Sequence, residues 1–288
     1  MRTLRGLLRS FTHLINEEYH TKIDLLMGEH LTFKKYHLMQ FTIIEWVHRL
    51  ILADISQHLR WPTPYCNGLK VIDAQVVNWS DTVQYEVSKL KQYLAMKDAW
   101  LLIPDTIAIQ WTNLPESVFK WPYIVKPNRW WKGTDVQKCN SREDVESALS
   151  QCKSLDGLTL IQQYIQPPSW TITRLEFVGW KFLYVVEIIV NSFELCPADA
   201  CSIDVCPVTS QAQFTIQSTF DTSLIEKCEL LLKTTWIDIA WIECVQWNDW
   251  KRYFYDLNTN TNYNSEAEVV SWNNAMKNIV EYLVSLGK

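Results

Sequence analysis

Two acidic residues, Glu243 in Ile242-Glu243-Cys244 and Asp256 in Tyr255-Asp256-Leu257-Asn258, sit on neighbouring β-prone runs separated by a turn. Paired as antiparallel strands, these runs set both carboxylates on one face, where they repel each other unless a cation lies between them. Mg²⁺ suits such a pair, with Mn²⁺ as an alternative, because hard oxygen donors and phosphate oxygens complete its octahedron. Asn258 adds a neutral oxygen. Elsewhere, the apolar run Tyr123-Ile-Val brings Lys126 to a strand end, where an ammonium can meet an anion. A polar turn containing Lys132 and Gly133 follows.

These residues need a scaffold of strands and helices in mixed order. A helical stripe runs from Val83 to Ala95 behind a capping Asp81, and Ala99 to Ile107 closes it and begins a strand. Ser141 caps a helix with acidic residues in its first turn. Leu158 to Ile165 reads as a strand, and Thr171 to Phe177 with Lys181 to Val190 as a hairpin about Gly179. Ser223 to Thr235 is helical, Ile237 to Val245 pairs with Tyr253 to Leu257, and Ala267 to Leu286 forms a last helix. The order predicts an α+β protein with sheets covered on one face.

Residues 1–68 stand apart, because all 6 histidines lie there. Ile43 to Leu59 has a helical face, with a shorter strand over Trp46 to Ala53 as the alternative. No carboxylate–histidine motif frames the histidines, so surface or half-buried side chains are expected rather than metal ligands. Trp61 to Gly68 reads as a linker, and Leu69 to Asp73 as a short strand. The 8 cysteines lack paired zinc spacing and are expected to be reduced and mostly buried. A net charge of −5 argues against nucleic acid as a partner, 48% hydrophobic content suggests no membrane protein, and a cytoplasmic location is expected.

From about residue 70 to 265 the motifs resemble, in order, those of ATP-grasp carboxylate–amine ligases of the glutathione-synthetase and ribosomal-protein glutamate-ligase type. Ser88-Lys89-Leu90 precedes Trp100-Leu-Leu-Ile-Pro104-Asp-Thr106, and Lys126-Pro127 opens the phosphate-covering loop. Leu160-Ile-Gln162-Gln163-Tyr164-Ile165 is similar to the adenine-binding hinge, with Gln163 replacing a glutamate. Thr171-Ile-Thr-Arg174 resembles the segment whose arginine faces the transferred phosphate. Glu243, Asp256 and Asn258 match the metal signature.

The resemblance implies an ATP-grasp fold over residues 69–288. Lobe one would span about 69–160 and lobe two about 161–288, with the nucleotide between antiparallel sheets and residues 1–68 as a divergent N-terminal region. It implies that Lys89, Lys126, Lys132, Gly133 and residues Gln162 to Ile165 bind ATP, that Arg174 is catalytic, and that Mg²⁺ is held by Glu243, Asp256 and Asn258. The activity implied is ATP-dependent joining of a small-molecule or peptide carboxylate to an amine through an acyl phosphate, by charge stabilisation without a histidine. The alternative is a catalytically inactive nucleotide-binding or scaffold protein, with ATP binding as a regulatory module a third reading.

Composition complicates this resemblance. The chain has 7 glycines and 15 tryptophans, where glycine ordinarily makes up about 7% of residues. Trp100, Trp130, Trp131, Trp180, Trp236, Trp241 and Trp250 stand where the resemblance or turn chemistry favours glycine. Adjacent indoles at 130 and 131 would obstruct the backbone approach that phosphate needs. Translating UGA as tryptophan, where it encodes glycine, would produce this composition.

Overall fold

The structure, a computed structural model, describes residues 77–78, 80–110, 121–129, 136–152, 154–167, 171–189, 214–247, 250–259, 263, 268–269 and 272–286. The expectations for residues 1–73, the histidines, Lys132, Gly133, Trp130 and Trp131 fall outside these residues.

Two antiparallel sheets form the frame. The first contains β1 (Thr106–Gln110), β2 (Tyr123–Pro127), β3 (Gln137–Cys139) and β4 (Leu158–Gln163), in the order β1-β4-β2-β3. The second contains β5 (Thr171–Val178), β6 (Lys181–Ile189), β7 (Phe214–Gln217), β8 (Ile239–Gln246) and β9 (Arg252–Asn258), in the order β7-β6-β5-β8-β9. The helices are α1 (Val83–Val87), α2 (Lys89–Asp98), α3 (Arg142–Gln151), α4 (Thr222–Thr235) and α5 (Ala275–Ser285). The mixed architecture and the hairpin about Gly179 agree with the sequence reading.

The helix expected behind Asp81 is broken. Ser88 adopts an extended backbone (φ −135°, ψ 108°), ends α1 and caps α2 by accepting from the Lys91 N–H. A serine hydroxyl satisfies one of the N–H groups that a helix start leaves open. The break makes Lys89 the first residue of α2. In α3 the expected Ser141 cap is a full capping box with Asp144.

Coverage of the second sheet also differs from the one-sided expectation. Leu175, Phe177, Val185 and Ile242 pack with Tyr93 and Met96 of α2 and Leu231 and Leu232 of α4. The alternate residues Ile172, Tyr184, Val186 and Ile188 pack with Tyr253, Tyr255 and Ala275, while Val178 and Ile239 meet Ile279, Val280 and Leu283 of α5. Side chains alternate across a strand, so these sets lie on opposite faces, and both are buried. Leu160 of β4 joins Tyr93 and Met96 in the first of these cores, so α2 bridges the two sheets.

Asn78 ties the described N-terminal residues to this frame. Its amide donates to the Ile239 and Thr259 carbonyls at 2.8 and 3.0 Å. Its side-chain oxygen accepts from the N–H groups of Asp238 and Ile239 at 2.8 and 3.0 Å. Asn78→Ala leaves these buried backbone groups unpaired and is expected to cost about 3 kcal/mol, read as a lower denaturant midpoint at unchanged slope.

Candidate active site

Asn128, directly after β2, assembles the first half of the site. Its carbonyl accepts from the Lys89 N–H at 3.1 Å, and its side-chain oxygen accepts from the Leu90 N–H at 2.8 Å and the Ser88 hydroxyl at 3.2 Å. The start of α2 is thereby held against the end of β2, which brings Lys89 beside Lys126. The Lys89 ammonium pairs with Asp256 and donates to Gln92 Oε1 at 3.3 Å. Burial works against the charged Lys89, but Asp256, followed by Tyr93 and Glu86, holds its pKa above the ordinary value.

Lys126 has different company. Its ammonium donates to the Tyr93 hydroxyl at 2.5 Å and to Gln162 Oε1 at 3.0 Å, both neutral oxygens, and the residue is 5% exposed. Burial, reinforced by the Lys89 charge and opposed by Asp256, lowers its pKa from 10.5 to about 7. A buried cation held by neutral oxygens beside a second cation suits a polyanion such as a triphosphate.

This arrangement predicts a pH dependence. An arriving polyphosphate would return the Lys126 pKa toward its ordinary value, so binding above pH 7 takes up a proton. Triphosphate affinity is expected to fall as pH rises from 7 to 9, with proton uptake seen by calorimetry in buffers of different ionisation enthalpy. Lys126→Arg, which keeps its charge throughout this range, is expected to lose that uptake.

β5, β8 and β9 supply the second half. Glu243 lies directly opposite Arg174 on one side and Asp256 on the other. The Arg174 Nε and Nη2 donate to Glu243 Oε1 at 3.2 and 3.0 Å, and the Tyr255 hydroxyl donates to Glu243 Oε2 at 2.9 Å. The Glu243 and Arg174 side chains are 0% and 6% exposed. Burial raises the Glu243 pKa against Arg174, and neighbouring Asp256 adds to the rise. Asn258 lies two residues beyond Asp256 on the same strand, opposite Trp241.

The residues fit a divalent ion by donor chemistry: two adjacent carboxylates and an amide oxygen are hard donors, and Mg²⁺ commonly takes one or two carboxylates and completes its shell with phosphate and water. Among the described residues no cluster of three or more His, Cys, Asp or Glu could hold a metal without such added donors. Lys89 and Arg174 instead balance the two carboxylates.

In the hinge, the Gln163 N–H donates to the Asp105 carbonyl at 2.8 Å and the Tyr164 N–H to the Pro122 carbonyl at 3.0 Å. Both N–H groups are therefore engaged within the protein. Gln162 instead receives Lys126 and donates to the Thr106 hydroxyl at 2.8 Å. Trp241, grouped by sequence with positions favouring glycine, lies within β8 and is 3% exposed. Its ring stacks 4.1 Å from the Arg174 guanidinium, and its backbone has no positive φ that would call for glycine.

Sequence reasoning missed Gln92, Tyr93, Asn128 and Glu176. Gln92 bonds the Leu257 N–H and carbonyl at 3.2 and 2.7 Å, aligning α2 with β9. A signal existed for Gln92 and Tyr93: they lie three and four residues after Lys89, on its side of the helix. Glu176 is 1% exposed, and burial, opposed by Arg174 and reinforced by Glu243 and Glu268, pushes its pKa up to about 8. Local spacing carries no sign of that burial.

The two antiparallel sheets, with α2 bridging them and cationic and acidic clusters at the junction, have the ATP-grasp fold. No family model and no curated protein matches the chain. Among solved structures, the chain is similar to the ATP-grasp ligase PsnB complexed with a minimal precursor, at 10% identity and a TM-score of 0.64 over 98% of this chain and 95% of that one. It is also similar to a Chryseobacterium gregarium RiPP-associated ATP-grasp ligase in complex with ADP and a leader and core peptide, at 14% identity and a TM-score of 0.62, covering 96% and 92% of the chains. The D-cycloserine synthetase DcsG aligns at 10% identity with a TM-score of 0.60, covering 96% and 95%. No described helix is long and apolar enough to cross a membrane.

Proposed function

We infer that the protein is an ATP- and Mg²⁺-dependent ligase that joins a carboxylate to an amine through an acyl phosphate. The observation that carries this reading is the buried Lys126 ammonium, held by neutral oxygens beside Lys89, whose partner Asp256 lies opposite Glu243 of the Arg174–Glu243 pair. Lys89 and Lys126 would hold the phosphate chain. The metal would be bound by Glu243, Asp256 and Asn258 and would neutralise charge on the phosphate oxygens. Lys132 and Gly133 would belong to the loop covering the phosphates, and the hinge around Gln162 to Ile165 would border the base.

The carboxylate oxygen attacks the γ-phosphorus and ADP leaves. The amine lone pair then attacks the acyl carbon, phosphate departs, and the amine proton passes to solvent. Arg174 donates to the oxygens on which charge grows, which is worth more in a dry site than in water. A peptide substrate is favoured over a small acid because PsnB and the Chryseobacterium gregarium ligase are described with precursor, leader or core peptides. A PsnB complex containing Mg and ADP supports the nucleotide and metal.

The test is release of ADP and phosphate from ATP with Mg²⁺ and a panel of amino acids and peptides, with hydroxylamine as a trapping amine. Hydroxamate formation that needs ATP, Mg²⁺ and a carboxylate supports the ligase. Absence of both turnover and ATP-dependent thermal stabilisation, in protein with glycine at positions 130 and 131, overturns it. A second reading, a fold without catalysis, is favoured by the Trp241 indole lying over Arg174.

A further inference from the structure

We propose that the native protein carries glycine at the positions of Trp100, Trp180, Trp236, Trp250 and Trp272, each encoded by a UGA codon that its organism translates as glycine. Among the described residues, six non-glycine residues have positive φ: Asn78, an ordinary occupant of that region, and these five tryptophans, at 57° to 64°. No other residue type occurs there, although a β-carbon penalises every L-residue in this region and a bulky one is an outlier.

Each position has its own backbone demand for glycine. At the end of α2 the Leu101 N–H donates to the Met96 carbonyl and the Trp100 N–H to the Lys97 carbonyl, both at 3.0 Å. At the end of α4 Ile237 donates to Leu232 at 3.0 Å and Trp236 to Lys233 at 3.4 Å. Asn273 donates to Glu268 at 3.0 Å and Trp272 to Val269 at 3.4 Å. All three are Schellman motifs with tryptophan at the left-handed C′ position, which glycine normally fills.

The other two close hairpins. Gly179 and Trp180, with φ 60° and 63°, form the loop between the paired residues Val178 and Lys181. Two successive positive φ values define the I′ turn that favours Asn-Gly or Gly-Gly. Between β8 and β9, the Trp250 N–H donates to the Trp247 carbonyl at 3.0 Å and the Trp247 N–H to the Lys251 carbonyl at 2.9 Å. These bonds and the left-handed φ of Trp250 match a turn followed by a G1 bulge, another glycine position.

Four of the five indoles bury little surface, while Trp180 packs against the core and lies edge-on to Trp236 at 6.3 Å. Trp100, Trp236, Trp250 and Trp272 are 67–96% exposed, and the buried Trp180 Nε1 has no hydrogen-bond partner among the described residues. In contrast Trp121 stacks 3.8 Å from Tyr123, and Trp247 packs edge-on against Tyr253; neither has positive φ. The division follows backbone conformation, as expected if two codons have been translated into one amino acid.

Peptide mass spectrometry of protein isolated from its own organism tests the assignment independently of any ligase activity. Glycine in the peptides spanning the five positions is expected, and tryptophan there overturns the proposal. A recombinant comparison tests the conformational argument: changing all five Trp→Gly should raise the melting temperature on the order of 10 °C. Changing all five Trp→Ala keeps the β-carbon and should recover clearly less; an equal rise with alanine overturns the left-handed requirement.

Discussion

Lys126→Met is expected to raise the melting temperature while abolishing ATP-dependent stabilisation and lowering turnover by about 10²–10³-fold. The buried ammonium donates hydrogen bonds to Tyr93 and Gln162 but has no ion-pair partner among the described residues, so it is tolerated at a cost to stability. Methionine fills a similar volume without that charge, and Tyr93 and Gln162 remain in reach of each other. Replacing buried charge with apolar groups of similar size is often stabilising, here by about 1–3 kcal/mol. Because the folded pKa of about 7 lies below the unfolded value of 10.5, the unfolded chain binds more protons between those values. Wild-type stability should therefore gain from rising pH in that window, and the Met variant should lose that gain. ATP-dependent stabilisation equal to wild type in Lys126→Met would exclude Lys126 from the nucleotide site.

Arg174→Met is expected to damage both stability and chemistry. Glu243 is fully buried, and Arg174 supplies two of its hydrogen bonds and its opposing charge. Removing one partner of such a pair costs about 3–5 kcal/mol near neutral pH. The loss should shrink in acid, where the Glu243 carboxyl takes up a proton. Adding Glu243→Gln should recover most of the lost stability in a double-mutant cycle without restoring turnover. Recovery of turnover in that double variant would show that Arg174 serves the fold rather than the reaction.

Much of the frame was legible locally. Runs of β-branched and aromatic residues on either side of turns mark β5, β6, β8 and β9, and Ser141 with acidic residues behind it marks the start of α3. The opposition of Glu243 and Asp256 was legible because a hairpin fixes the register of neighbouring strands. The break at Ser88 was not, since an apolar stripe spanning Val83 to Ala95 reads the same whether or not the helix is interrupted. The two-sided burial of the second sheet also escaped, because apolar residues on both faces blur alternation.

The sequence by itself determined the order of motifs, the strand pairing at Glu243 and Asp256, and the excess of tryptophan over glycine. Each follows from local spacing or composition. Tertiary structure alone decided that Asn128 holds Lys89 beside Lys126, that Asp256 meets a lysine 167 residues away in the chain, and that Lys126 is buried among neutral oxygens. These contacts join separate elements, and their energies come from burial and charge in the assembled fold. Composition flagged the tryptophans, whereas only backbone angles separate those at left-handed positions from Trp121, Trp241 and Trp247, which have no positive φ.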